Sequence, residues 1–155
     1  MNMNKKWIYV DDIRIPTDSM WTVAVNYEEF VKEVTLIGLD NVEFISLDHD
    51  LGDSAMVEYY SHVKPNYELD YSRIEEKTGY DCAKWLVQES MNKKIPLPTV
   101  KVHSANPIGA ANIMGYINNY LRNNQLPETC TRVRFPHTNR MEMSLEERLA
   151  KFTKK

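Results

Sequence analysis

The fold is decided by residues 42–52, VEFISLDHDLG, where an apolar run passes directly into three polar residues and then into Leu-Gly. A short apolar run bounded by turn-forming residues is typical of a strand inside a parallel sheet. The same arrangement recurs at residues 7–12, WIYVDD, and at residues 99–104, TVKVHS. We therefore predict three buried strands, each ending in residues that carry carboxylate, imidazole or hydroxyl groups.

Further strands and helices alternate along the chain outside these three stretches. Such alternation indicates an α/β protein with a parallel sheet, here of five strands. The remaining predicted strands are residues 21–25 and 131–135, and the predicted helices follow the N-cap residues Asn26, Thr78, Asn106 and Ser144.

Two connections depart from a regular α/β pattern. About ten residues without helical periodicity join the first two strands, whereas a parallel crossover needs about a dozen or more. We therefore expect the first crossover helix to be missing or degenerate. Residues 53–77 also lack clear periodicity and are predicted to be a long loop, acting as a lid or binding loop or remaining disordered. Its tyrosines either stack on a nucleobase or pack the loop onto the body.

The composition limits the class of protein. The chain has 155 residues, a formal net charge of −3 and 26% charged residues, which fits one globular domain spanning residues 1–155. No broad basic face for duplex DNA is expected, and no apolar run is long enough to cross a membrane. Two cysteines are too few for a disulfide framework, so a reducing, cytoplasmic location is predicted.

Acidic residues follow two of the predicted strands. Because the carboxyl ends of parallel strands meet at one edge of a sheet, these acids are expected to converge there. Carboxylates that lie this near to one another repel each other unless a cation lies among them. Mg²⁺ and Mn²⁺ are the cations that such oxygen ligands suit. The alternative is that they are solvated strand ends and helix caps. The candidate metal ligands are Asp11, Asp12 and Asp48.

Two histidines near the strand ends, His49 and His103, are candidate ligands or general acid–base groups, since imidazole titrates close to neutral pH. His103 has the alternative of a strand-end histidine bonded to the backbone. His49 points away from Asp48 and Asp50 if the strand continues through it, because side chains alternate along a strand.

Residues 103–109, HSANPIG, end a strand and begin a helix, so the free amides of the first helical turn could bind an anion. Ser104 can donate its hydroxyl to a phosphate oxygen, and Gly109 would allow a ligand close to the backbone. An ordinary helix capped by Asn106 is the alternative. Arg14 is a candidate phosphate clamp, or else a surface arginine.

Four motifs together carry a family resemblance, covering about residues 7–122. They are residues 11–16, DDIRIP; 47–52, LDHDLG; 78–81, TGYD; and 103–107, HSANP. Together they resemble the cyclic-phosphate-processing receiver-like family, which is related to response-regulator receiver domains. The resemblance implies a flavodoxin-like, five-stranded parallel sheet with helices on both faces. It further implies a site built on Asp11, Asp12, Asp48, Asp50, His103 and Ser104.

The chain differs from the family pattern in two places. Receiver domains carry Lys-Pro after the fifth strand, where this chain has Phe135-Pro136, so Arg134 or His137 would have to supply a cation. Residues 53–77 form an insertion beside the implied site, and residues 136–155 extend the chain at the C-terminal end.

The function expected from this resemblance is a metal-dependent phosphoesterase acting on a cyclic phosphate of a nucleotide or an RNA end. In this hypothesis the catalytic residues are His103, Asp50 and His49, and the phosphate is bound by Arg14, Ser104, Asn106 and Gly109. One alternative is a non-catalytic nucleotide-binding module. Another is a receiver that accepts a phosphoryl group at Asp48 or Asp50, against which the loss of the lysine argues.

Overall fold

A computed structural model describes residues 5–139 of the chain. Its main sheet has four parallel strands, in the order β3-β1-β4-β5. Two shorter strands, β2 and β6, pair antiparallel as a separate ribbon. The strands are β1 (Lys6–Val10), β2 (Arg14–Pro16), β3 (Trp21–Ala24), β4 (Val42–Leu47), β5 (Thr99–Val102) and β6 (His137–Asn139).

The three longest helices of residues 5–139 begin where their N-cap residues predict. The side chain of Asn26 accepts a hydrogen bond from the Glu29 amide, Thr78 forms a capping box with Asp81, and Asn106 accepts from the Gly109 amide. The helices are α1 (Tyr27–Ile37), α2 (Asp53–Glu58), α3 (Lys64–Asn66), α4 (Gly79–Lys93) and α5 (Pro107–Asn123).

The parallel α/β fold is confirmed, and the two faces of the sheet differ. Alternate residues such as Ile8 and Ile45 form one core with α1, α4 and α5. The opposite face carries aromatic rings, with Trp21 5.3 Å from Trp7 and 5.1 Å from Phe135 between ring centroids. Helices were predicted on both faces, but the three long helices within residues 5–139 pack on one. The helix predicted from Ser144 lies outside the described residues.

The first crossover contains no helix, as predicted. Asp11 turns the chain immediately after β1, because its Oδ1 atom accepts hydrogen bonds of 2.8 Å from the amides of Ile13 and Arg14. This turn lets a short segment reach the start of β3. The same segment contains β2. The sequence analysis did not predict β2, because its partner strand β6 lies more than a hundred residues away.

The predicted fifth strand is reduced to a single parallel bridge between Val102 and Arg132. The Val102 amide donates to Thr131 O at 3.0 Å, and the Val133 amide donates to Val102 O at 2.8 Å. Beyond this point Phe135 packs on the aromatic face, and Pro136 has no amide hydrogen to continue a ladder. The chain then enters β6 within the predicted C-terminal extension.

The prediction that residues 53–77 are a loop was wrong, because most of this segment is helical. A π-helical turn, Tyr59–Val63, joins α2 to α3, and a 3₁₀ turn follows at Tyr71–Arg73. The buried Glu58 carboxylate ties the segment together: it accepts from Arg73 Nε at 2.8 Å and from the Asp70 amide at 2.9 Å. The sequence pattern did not predict this helix, because the helical period changes within it and because Gly52 provides no side-chain cap.

A search of the described helices for one long and apolar enough to span a bilayer found none.

Gly79 is predicted to be essential for stability. A Cβ atom there would lie 1.9 Å from the Asp48 carbonyl oxygen, whereas a Cβ at Gly115 would meet nothing within 4 Å. In urea unfolding, we expect Gly79→Ala to lose about 2 kcal/mol or more through overpacking. The matched Gly115→Ala variant should gain up to about 1 kcal/mol from helix propensity. Equal stabilities of the two variants would contradict this packing.

Glu58 should stabilise the protein in a pH-dependent way. Although burial opposes it, hydrogen bonds from Arg73 and Asp70 lower the pKa of Glu58 below its ordinary value of 4.5. A lowered pKa contributes stability that is present above 4.5 and is lost as pH falls through the folded-state value. The Glu58→Gln variant should therefore melt at a lower temperature than the native chain at neutral pH. This difference should shrink in acid, and a difference independent of pH would refute the pairing.

Candidate functional site

Backbone hydrogen bonds continue past the ends of the strands and bring three polar residues side by side. The Asp11 amide donates to Ala24 O at 3.0 Å, the Asp48 amide to Val10 O at 2.9 Å, and the His103 amide to Leu47 O at 3.0 Å. The residues that follow β1, β4 and β5 therefore lie at one edge of the sheet. This edge is where ligands bind in open α/β sheets.

Three carboxylates cluster at this edge. Each of Asp11, Asp12 and Asp48 offers an oxygen, and these atoms all lie within 4.8 Å of one another. Burial, reinforced by the negative charges of Asp11 and Asp50, raises the pKa of Asp48 well above its ordinary value. A divalent cation would relieve this crowding, and the all-oxygen donor set fits Mg²⁺ or Mn²⁺.

His103 lies behind Asp11 with both ring nitrogens occupied. Its Nε2 atom is 3.0 Å from Asp11 Oδ2, its Nδ1 atom is 2.6 Å from Ser46 Oγ, and its ring stacks on Tyr9 at 4.1 Å. Burial lowers the pKa of His103 despite the neighbouring Asp11. A neutral ring then donates from Nε2 to Asp11 and accepts the Ser46 hydroxyl at Nδ1.

The hydrogen bond between His103 and Asp11 favours the charged form of Asp11. Burial by itself would raise the pKa of the Asp11 carboxyl, but the hydrogen bond from His103 and two backbone amides lower it. Asp11 is therefore held as an oriented carboxylate whose position depends on His103.

His49 stands behind Asp50 in a similar way. His49 was expected to point away from Asp50 only if the strand continued through it, and that condition does not hold, because β4 ends at Leu47. His49 Nδ1 is 2.6 Å from Asp50 Oδ1, and His49 Nε2 is 2.9 Å from the Tyr71 hydroxyl. The ring is completely buried and is absent from the lining of the acid-rich cavity described below.

The loop after β5 contributes unequally to the site. Ser104 lines the cavity, whereas Asn106 donates from Nδ2 to Asp50 Oδ1 at 3.2 Å. Gly109 does not line the cavity: its amide donates to Asn106 Oδ1 at 2.9 Å, and a Cβ there would lie 2.3 Å from the His49 ring. The geometry thus gives Gly109 a packing role beside His49, rather than the contact with a ligand expected from the sequence.

A cavity of about 320 Å³, here called the acidic cavity, opens above the carboxylates. Arg14 and Asn139 line it from the β2–β6 ribbon, and Tyr59, Tyr60 and Met56 line it from the segment of residues 53–77. Sequence analysis missed Met56, which sits three residues before Tyr59 at helical spacing, and Asn139, for which no local signal exists. The four acids in the lining are Asp11, Asp12, Asp48 and Asp50.

A second cavity of about 500 Å³, here called the basic cavity, adjoins the first. Arg14, Ser104 and Ala105 line both cavities. Arg134 and His137, the two candidates for replacing the receiver lysine, both line the basic cavity and not the acidic one.

One comparison with known proteins identifies a family for this chain. The family model of the cyclic-phosphate processing receiver domain matches residues 6–119, which include the strand ends, His49, His103 and residues 53–77. Searches among curated proteins and among solved structures found no significant match. Since the matched range covers most of the chain, the protein belongs to the cyclic-phosphate processing receiver domain family.

Proposed function

We propose that this protein is a metal-dependent phosphoesterase that opens a cyclic phosphate on a nucleotide or an RNA end. The observation that carries the proposal is the cluster of Asp11, Asp12 and Asp48 next to Arg14 and Ser104. A cation site beside a hydroxyl and a guanidinium suits a phosphate, which needs both its negative charge balanced and its oxygens hydrogen-bonded.

In this proposal Asp11, Asp12 and Asp48 hold one Mg²⁺ or Mn²⁺ ion. When bound, the ion would supply Lewis-acid polarisation of a phosphoryl oxygen. The protein's own contribution is the fixed spacing of the carboxylates, which the backbone bonds at the strand ends maintain. Arg14 is also held in place, because its Nη1 atom donates to His103 O at 2.9 Å.

The reaction needs a group that accepts a proton from the attacking water, and Asp50 is the best placed. Its carboxylate lines the acidic cavity and is oriented from behind by His49 and Asn106. The water oxygen forms a new bond to phosphorus and gives its proton to Asp50. One ester bond of the ring breaks, and its electron pair goes to the sugar oxygen, which takes up a proton from solvent water while Asp50 releases to solvent the proton that it accepted. The product is a phosphate monoester.

The two histidines act as positioning residues in this scheme. His103 orients Asp11 and His49 orients Asp50, each through a ring nitrogen already bonded to the carboxylate. Neither ring has a nitrogen left for the substrate in this arrangement, since Ser46 and Tyr71 occupy the other two. We therefore assign the proton transfer to Asp50 and not to His103.

The insertion supports a nucleotide as the substrate. Tyr59 and Tyr60 both line the acidic cavity, and their rings pack edge to face at 4.8 Å. Aromatic side chains beside a phosphate site offer a surface on which a nucleobase can stack. A cyclic phosphate of a simple polyol would leave this surface unused.

The cysteines support a reducing compartment, and we propose a cytoplasmic location. Cys82 and Cys130 are both buried and unpaired. Burial raises the pKa of the Cys82 thiol well above its ordinary value, which keeps it protonated and unreactive. Neither cysteine therefore takes part in the proposed chemistry.

Hydrolysis should depend on the metal and on Asp48. With 2′,3′-cyclic and 3′,5′-cyclic nucleotides as substrates, we expect turnover with Mn²⁺ or Mg²⁺ that a chelator abolishes. Asp48→Asn should lower kcat/KM by about a hundredfold or more, because it removes one anionic ligand. Asp40→Asn, a matched change at an exposed residue in a turn remote from the cavity, should leave it unchanged. Binding of the nucleotides without any turnover would instead favour a non-catalytic binding module.

The insertion should support catalysis through Tyr71. The Tyr71 hydroxyl bonds to His49 and accepts a hydrogen bond from Asn112 Nδ2 at 3.0 Å. Tyr71 therefore holds the imidazole that orients Asp50. We expect Tyr71→Phe to lower kcat roughly tenfold with little change in KM, because proton transfer and not binding is impaired. Tyr67→Phe, at an exposed tyrosine of the same segment, is the control. An unaltered kcat for Tyr71→Phe would contradict this role.

A further inference from the structure

The basic cavity differs in charge from its neighbour. No carboxylate is found among its lining residues within 5–139, whereas four line the acidic cavity. Such a one-sided cluster is unusual in a chain whose net charge is −3. The side chains in its lining that can carry positive charge are Arg14, Arg132, Arg134 and His137, while the buried His103 ring in the same lining is neutral.

Two of these arginines are anchored to the loop that separates the cavities. Arg132 Nε donates to Ser104 O at 2.9 Å, and Arg14 Nη1 donates to His103 O at 2.9 Å. Arg134 is exposed and has no ion-pair partner in the part of the chain that the structure describes. Arg14 also lies 3.8 Å from Asp11 Oδ2, whereas Arg132, like Arg134, has no ion-pair partner within residues 5–139. Arg132 and Arg134 repel each other, so an anion bound between them would lower the electrostatic energy.

The aromatic face fixes the segment that carries Arg134. Phe135, the next residue, packs against Trp21 at 5.1 Å and Phe44 at 6.1 Å. On the other side of the segment, the Thr17 amide donates to Pro136 O at 3.0 Å. The residue that replaces the receiver lysine in the sequence thus serves as an anchor, and its neighbours form the wall of the basic cavity.

We propose that the basic cavity binds a second phosphate of the same substrate, carried on the 5′ oxygen of the nucleotide whose cyclic phosphate occupies the acidic cavity. This inference rests on the proposed function. A single ligand can reach both cavities, because they share Arg14, Ser104 and Ala105. Arginine suits the task, since its planar guanidinium pairs with phosphate through two hydrogen bonds.

The proposal narrows the substrate class. In a 3′,5′-cyclic mononucleotide the 5′ oxygen belongs to the ring, so no second phosphate remains for the basic cavity. A 2′,3′-cyclic phosphate leaves the 5′ oxygen available for a phosphate monoester or, at an RNA end, for the phosphodiester of the preceding nucleotide. The preferred substrate is therefore a 2′,3′-cyclic nucleotide that bears a 5′-phosphate group.

Calorimetric binding with three probes tests this, using the full chain with Mn²⁺ and with Asp50→Asn to prevent turnover. The probes are adenosine 2′,3′-cyclic phosphate, its 5′-phosphorylated form, and a dinucleotide ending in a 2′,3′-cyclic phosphate. We expect a 5′-phosphate to raise affinity about tenfold. Arg134→Gln should remove that gain and change the affinity for the first probe less than about twofold, since Arg134 does not line the acidic cavity.

Arg122→Gln is the matched control, because Arg122 is exposed and pairs with Glu128 outside both cavities. Melting temperatures of both variants verify that the fold is retained. A gain only with the monoester identifies a mononucleotide substrate, and a gain with the dinucleotide as well identifies an RNA end. Equal affinities with and without the 5′-phosphate, or a gain that survives Arg134→Gln, would overturn the proposal.

A fourth probe separates this inference from the proposed function. Adenosine 5′-monophosphate has no cyclic phosphate, yet it carries the group expected in the basic cavity. Suppose that adenosine 5′-monophosphate binds, that Arg134→Gln weakens this binding, and that adenosine 2′,3′-cyclic phosphate does not bind. The phosphate site in the basic cavity is then supported, and the phosphoesterase proposal fails. If the cyclic probe binds and Arg134→Gln leaves the affinity for the monophosphate unchanged, the basic cavity does not bind the 5′-phosphate.

Discussion

The parallel register between β1 and β4 is the constraint on which the site depends. It pairs Val10 with Leu47, and the next residues of the two strands, Asp11 and Asp48, are then forced together. Two buried carboxylates this close together carry an electrostatic cost that the protein must offset. The surrounding hydrogen bonds and the proposed cation both offset this electrostatic cost. The chemistry of the site therefore depends on the geometry of the sheet.

Two buried histidines share one arrangement around this edge. His103 bonds Asp11 and is held from behind by Ser46, while His49 bonds Asp50 and is held from behind by Tyr71. In both cases an imidazole fixes the direction of a carboxylate that faces the cavity, as residues hydrogen-bonded to metal ligands commonly do. Residues 53–77 thus provide part of this support through Tyr71, in addition to forming one wall of the acidic cavity.

Local signals explain which predictions succeeded. The caps at Asn26, Thr78 and Asn106 were predictable because each side chain bonds an amide two or three residues away. Predictions failed where the partner is distant or the period changes. The π-helical turn Tyr59–Val63 breaks the helical spacing. The strand expected at residues 131–135 is reduced to one bridge, because Phe135 packs on the aromatic face instead.

The sequence by itself determined which residues end the parallel strands, and with them the candidate metal ligands, because apolar runs and the polar residues that follow them are contiguous. Only the tertiary structure decided the roles of the two histidines, the packing of Gly109 against His49, and the division into an acidic and a basic cavity. These features join residues such as Arg14 and Arg134, which are far apart in the chain. Their proximity follows from the order of the strands and the β2–β6 ribbon, which no local pattern encodes.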